Sequence, residues 1–146
     1  MKKILLALLA AAALLGCTES APEGTDTPEA CATGFVTAFY NFDFKRSLAL
    51  CADSSDQWLR LFAANLSEDD VEDIRALTSV PAIDRCKVTR QTGDSATVVC
   101  ELSHVFLLDT IGSRGHMADE ATVTLHLVKS EGLWKVRMAD LPRSGT

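Results

Sequence analysis

The chain has 146 residues, with 14 Lys or Arg, 20 Asp or Glu, and five Cys. This length predicts one domain, because a core divided at this size would be too small to hold either half. Without residues 1–16, the chain keeps 12 basic and 20 acidic groups, a net charge of −8. This acidic balance argues against a nucleic-acid partner and against a basic membrane-surface helix, since both need clustered Lys and Arg.

Residues 1–16 have the pattern of an export signal. Lys2 and Lys3 precede an uninterrupted apolar run from Ile4 to Leu15. As a helix this run would span roughly 18 Å, which is too short for a hydrocarbon core of about 30 Å. The segment is therefore predicted to be a signal peptide and is left out of the fold prediction.

The segment Leu14-Leu15-Gly16-Cys17 resembles the lipobox of bacterial lipoproteins. In that family the cysteine is lipidated and becomes the mature N-terminus. The resemblance implies membrane attachment through Cys17. It also implies an outer-membrane location facing the periplasm, because Thr18 is not the aspartate that retains lipoproteins at the inner membrane. An ordinary cleaved signal with an incidental cysteine is the alternative.

Residues 17–27 are predicted to be a disordered tether. After Cys17 the sequence is Thr-Glu-Ser-Ala-Pro-Glu-Gly-Thr-Asp-Thr, which has no large apolar side chain to offset the entropy of ordering. Ten such residues have a reach of roughly 18 Å. This reach would hold the remaining domain, residues 28–142, just clear of the lipid headgroups.

The other four cysteines predict disulfide bonds, because an even number in a small exported domain favours bridges. A three-residue turn at residues 92–94 would place Cys86 opposite Cys100, whereas a two-residue turn would offset them by one. Cys31 and Cys51 lie in two helical segments joined by a short turn. We therefore pair Cys31 with Cys51 and Cys86 with Cys100. Four buried free thiols are the alternative, and a zinc site is disfavoured because the chain has no CxxC.

Four helical segments are predicted before residue 78. Thr27 is a candidate N-cap for a helix that begins with Pro28, and Asp43 is a candidate N-cap for the next helix. Ser67 and Asp70 resemble a capping box for the fourth helix, with Asp where Glu or Gln would reach better. The predicted ranges are 28–40, 44–51, a third helix starting at 53–56, and 68–77.

From Pro81 onward, a period of two predicts strands. In the second strand, alternate residues including Leu102, His104 and Phe106 are predicted to face inward. Two glycines predict a mobile loop at 109–116. Helices followed by a four-stranded antiparallel meander indicate an α+β domain, with the helices packed on one face of the sheet. The predicted strand ranges are 83–91, 95–108, 120–129 and 133–141.

Three stretches resemble the nuclear-transport-factor-two-like superfamily: Phe35–Cys51, Gly93–Val98 and Glu131–Val136. Over residues 28–141 the chain is similar to small bacterial lipoproteins of unknown function in that group. The resemblance implies a cystatin-like fold, in which a curved sheet wraps the helices into a cone with a cavity. It also implies homodimers through the outer face of the sheet. The chain departs from the pattern in its four cysteines and in Phe42, where many members carry glycine.

The superfamily includes ketosteroid isomerase and dehydratases, so an isomerase- or dehydratase-like enzyme is the alternative function. Such chemistry needs a base and an acid or oxyanion donor that converge inside the cone. His104 and Tyr40 are the candidates. We assign no catalytic residue, because no inward carboxylate pairs with His104 in the strand pattern and a hydrogen-bonded core histidine explains it.

The acidic run from Glu68 to Asp73 lacks the glycine and the alternating spacing of a calcium loop, so it is predicted to be a solvated helix face. No metal or other cofactor is predicted. The sequence as a whole predicts a lipid-anchored envelope protein. Its domain is predicted to bind a small apolar ligand or an envelope protein without catalysis.

Overall fold

The structure, a computed structural model, describes residues 25–142. In this part of the chain, helices precede an antiparallel sheet of four strands, so the protein is α+β as predicted. The helices are α1 (Pro28–Tyr40), α2 (Phe44–Ala49), a 3-10 turn (Asp53–Ser55), α3 (Asp56–Ala64) and α4 (Glu68–Arg75). The strands are β1 (Ala82–Thr92), β2 (Ser95–Leu107), β3 (His116–Ser130) and β4 (Leu133–Val136).

The predicted helix caps are present. The Thr27 side chain accepts from the amide of Ala30, and the Asp43 carboxylate accepts from the amide of Arg46 at 3.0 Å. In the capping box, the Ser67 hydroxyl accepts from the Asp70 amide at 3.1 Å. In return the Asp70 carboxylate accepts from the Ser67 amide at 2.8 Å. These caps pair amides that a helix leaves without intrahelical partners, which fixes where the helices begin.

The start of the domain differs from the prediction at the end of the tether. Thr25 is buried, and its carbonyl accepts from the amide of Trp134 in β4 at 2.9 Å. Thr27 then caps α1. Residues 25–27 therefore pack on the domain rather than belonging to a disordered tether.

The four strands pair in the order β1-β2-β3-β4, with each strand antiparallel to the next. One face packs on the helices and is called the inner face. Its buried residues alternate along the two central strands as predicted, since successive side chains of a strand point to opposite faces. They are Ala96, Val98, Cys100 and Leu102 on β2, and Ala121, Val123, Leu125 and Leu127 on β3.

The β1–β2 hairpin has a two-residue turn at Gly93 and Asp94, because Thr92 pairs directly with Ser95. The predicted three-residue turn is therefore wrong. Cys86 nevertheless lies opposite Cys100, because the register shifts by one residue between Val88 and Arg90. This β-bulge inserts one extra residue into β1 and cancels the offset that the shorter turn introduces.

Two strand boundaries also differ from the prediction. Strand β3 begins at His116, four residues earlier, because Leu107 pairs with His116 and extends the ladder. Strand β4 ends at Val136 rather than at residue 141. Beyond it the Met138 amide donates to the buried hydroxyl of Ser55 at 2.8 Å, so the chain leaves the sheet toward the helices.

Aromatic side chains fill the space between the helices and the inner face. The Phe39 ring lies 4.8 Å from the Phe62 ring and 5.5 Å from the Phe35 ring, measured between centroids. Phe106 contributes from β2 and is 1% exposed. Large aromatic side chains contribute strongly to a core because each removes a large apolar area from water.

Candidate functional site

The predicted signal peptide and the predicted lipidation site, Cys17, lie outside the described residues. Within the described residues, no helix is long and apolar enough to cross a membrane. Attachment through Cys17 therefore stays a prediction.

Only one of the two expected bridges is present among the described residues. Cys86 and Cys100 form a disulfide with their Cα atoms 4.1 Å apart, which agrees with the pairing expected across the hairpin. Cys31 and Cys51 are instead buried free thiols. The expected Cys31–Cys51 bridge is thus absent from the structure.

The free thiols make contacts typical of buried cysteines. The Cys31 thiol donates to the carbonyl of Trp134, with 3.3 Å between sulfur and oxygen. Burial raises the pKa of Cys31 to about 11. Burial, followed by the proximity of Cys31, raises the pKa of Cys51 to about 12. Both groups therefore stay protonated at neutral pH, and neither has the character of a thiolate nucleophile.

His104 does not face inward as predicted. It is exposed, and its φ of 56° lies in the left-handed region. This conformation breaks the alternation of β2, so that Val105, Phe106 and Leu107 after it are all buried. The prediction failed because it assumed extended backbone throughout the strand, where one left-handed residue reorients the side chains that follow.

Tyr40 is 3% exposed, at the end of α1. Its hydroxyl has no hydrogen-bond partner among the described residues. Burial, followed by the negative charge of Asp109, raises the pKa of the Tyr40 hydroxyl. Because His104 is at the surface and Tyr40 is enclosed in the core, the structure does not bring the two candidate catalytic residues to a common pocket.

The acidic helix α4 has structural contacts. Burial disfavours ionisation of Asp70, but hydrogen bonds from Ser67 and from the Gly115 amide outweigh this effect and lower the pKa of Asp70. Asp73 pairs with Arg114 at 2.9 Å. Across residues 25–142, no group of three or more His, Cys, Asp or Glu is placed to hold a metal ion.

A groove at the outer face of the sheet, with both polar and apolar residues in its lining, is the candidate site. Four residues form a row across the strands, because Arg90 pairs with Thr97, Thr97 pairs with His126, and the Arg137 amide donates to the His126 carbonyl. Neighbouring strands lie about 4.8 Å apart, so the backbone positions of the two arginines are about 14 Å apart. We call this set the arginine row.

The groove along the arginine row has a volume of about 500 Å³. Besides the four residues of the row, its lining includes the hydroxyl-bearing Thr92 and Ser95 and the apolar Ala96, Leu127, Val128 and Ala139. The Thr97 hydroxyl oxygen lies 3.4 Å from Nδ1 of His126. Among the described residues, no acidic side chain lines the groove, so the charge of this lining is opposite to that of the chain as a whole.

The sequence prediction missed this site, although part of the signal is visible. Alternation places Thr97 and His126 on the outward face, but it does not show that they are neighbours. Their alignment with Arg90 depends on the two-residue turn, and the alignment with Arg137 depends on the β3–β4 pairing. A site assembled from three strands and the residue that follows β4 becomes visible only when the register is known.

Comparison with models of known protein families and with curated proteins finds no match to this chain. The geometry of the described residues is therefore the basis for the function proposed below.

Proposed function

We propose that the protein is a lipid-anchored lipoprotein of the bacterial envelope whose α+β domain binds a small ligand without catalysis. The observation that supports the binding role is the groove along the arginine row. The four polar residues of the row line one groove, and Thr97 and His126 alternate along their strands with the buried residues of the inner face. Small-ligand sites are typically concavities with a few converging polar groups.

The anchoring part of the proposal rests on the lipobox-like segment that ends at Cys17. One acyl chain gives only marginal membrane binding, whereas several chains make attachment stable. In this proposal the domain stays at the outer membrane, facing the periplasm. An envelope location also agrees with the Cys86–Cys100 bridge, because disulfides persist in oxidising compartments.

We further propose that the fold is of the nuclear-transport-factor-two-like, cystatin-like type. Phe42 departs from the family pattern in residue type, but its backbone supports the likeness, because its φ of 61° lies in the left-handed region that favours glycine. Many members of the superfamily carry glycine at this position. A homodimer through the outer face of the sheet, which the likeness implies, stays a prediction. It would cover the groove, so it is an alternative to ligand binding there and not part of this proposal.

The enzyme alternative has no supporting geometry. It required His104 and Tyr40 to reach one point within hydrogen-bond distance. His104 is instead exposed, and the Tyr40 hydroxyl is enclosed among core side chains. An envelope protein partner in place of a small ligand remains an outcome of the experiment below.

The proposed function is tested by purifying the full chain from bacterial membranes as wild type and as Cys17→Ala. We expect the wild type to partition into detergent, with a diacylglycerol on Cys17 by mass spectrometry, and the variant to lose both properties. Native mass spectrometry of the wild type should also detect a bound small molecule. A wild-type protein without the lipid, or one that co-purifies only with another protein, would contradict the corresponding part of the proposal.

A further inference from the structure

The arginine row concentrates positive charge on an acidic protein. Arg90 and Arg137 lie at its two ends, and both side chains are exposed. Among the described residues, neither arginine forms an ion pair, whereas Arg60, Arg85 and Arg114 each pair with a carboxylate. The two unpaired guanidinium groups are therefore available to a ligand.

The polar groups between the two arginines can also bind an anion. Thr97 and His126 lie side by side on the two central strands, and Ser95 and Thr92 extend the polar lining toward the hairpin turn. Hydroxyl and imidazole groups can donate hydrogen bonds to oxyanions. The acidic Asp94 lies in the adjoining turn but does not line the groove.

We infer that the arginine row binds a soluble small molecule that carries two anionic groups, phosphate or carboxylate. A guanidinium group recognises either oxyanion through paired hydrogen bonds. Arg90 and Arg137 line the same groove on long side chains, so both can reach one compact dianion bound between them. The concave shape favours a small molecule over a flat lipid surface. This inference rests on the proposed binding function and replaces the expected apolar ligand with an anionic one.

Isothermal titration of the detergent-solubilised full chain with pyrophosphate, at constant ionic strength, tests the inference. We expect saturable binding of one pyrophosphate per chain. Arg90→Gln and Arg137→Gln should each weaken it by about tenfold, because each removes charge-assisted hydrogen bonds. The double variant should bind more weakly than either single variant.

Arg85→Gln is the matched control. Arg85 lies on the same strand as Arg90 but pairs with Glu101 at 2.8 Å, outside the groove. Its replacement should leave pyrophosphate affinity within about twofold of the wild type, since it removes no groove contact. Equal weakening in Arg85→Gln would show a nonspecific charge effect and would overturn the inference, as would an absence of binding to the wild type.

Lipid vesicles distinguish a soluble anion from a lipid headgroup. Phosphatidylcholine vesicles, with and without phosphatidylglycerol, are added to the protein–pyrophosphate complex. We expect neither kind to displace pyrophosphate. Displacement by the phosphatidylglycerol vesicles alone would assign the groove to headgroups and overturn the inference. Failure to bind pyrophosphate would overturn this inference alone. The proposed function is decided by other measurements, namely the lipid on Cys17 and the small molecule that co-purifies with the chain.

Discussion

Replacing Tyr40 with phenylalanine should stabilise the protein, which is the opposite of what most core substitutions do. The Tyr40 hydroxyl is buried, with no hydrogen-bond partner among the described residues. An unpaired buried hydroxyl costs about 1–3 kcal/mol of folding free energy. Tyr40→Phe removes this cost and keeps the ring, which lies edge-on to the Phe39 ring at 5.1 Å.

Ser55→Ala provides the matched comparison, because the Ser55 hydroxyl is equally buried but is paired. It donates to the Val136 carbonyl at 3.3 Å and accepts from the Met138 amide at 2.8 Å. Removing it takes away the hydroxyl that pairs the Met138 amide, whereas the Val136 carbonyl still accepts from the Ala52 amide at 2.9 Å. The loss should destabilise the fold by about 1–3 kcal/mol.

Urea unfolding and thermal melts of the two variants check these signs. At roughly 4 °C per kcal/mol for a domain of this size, Tyr40→Phe should raise Tm by about 4–12 °C, and Ser55→Ala should lower it by a similar amount. A Tyr40→Phe variant that is less stable than the wild type would show that the hydroxyl has a partner in solution. The Tyr40 hydroxyl would then contribute to stability instead of opposing it.

Replacing both Cys86 and Cys100 with alanine should lower the free energy of unfolding by about 3 kcal/mol, because the bridge closes a loop across a sequence separation of 14. Urea titrations measure this change, and an unchanged midpoint would contradict it. The pKa of Asp70 is lower in the folded protein than in the unfolded chain. Its contribution to folding stability is therefore complete above the unfolded pKa and is lost as the pH falls below about 4. Urea midpoints between about pH 3 and 6 should therefore fall less steeply in Asp70→Asn than in the wild type, and parallel curves would count against this assignment. In thermal melts, His104→Gly should be about 1 kcal/mol more stable than His104→Ala, because glycine adopts the left-handed φ of 56° without a steric cost.

The parts of the fold that depend on local chemistry were predictable from the sequence. Thr27, Asp43 and Ser67 mark helix starts because each cap forms within three residues along the chain. Strand alternation likewise predicted which residues of β3 face the helices. These signals require no knowledge of distant partners.

The remaining features depend on long-range pairing or on single backbone conformations. The Cys86–Cys100 alignment arises from a short turn and a compensating bulge, and neither has a decisive sequence signal. The left-handed conformation of His104 is also not dictated by its residue type, since histidine is enriched there among non-glycine residues but adopts it in only a small fraction of cases. The arginine row combines residues from both ends of the sheet, so it depends on the register of every strand.

Amide NMR spectra of the full chain in detergent, with and without pyrophosphate, test most directly whether ligand binds on the outer face of the sheet. We predict that the largest chemical-shift changes occur at Thr97, His126 and Arg137, while the amide of Tyr40 in the packed interior is unaffected. Changes centred on Tyr40 and Phe106 would instead place the ligand between the helices and the sheet, and would contradict a binding site at the arginine row.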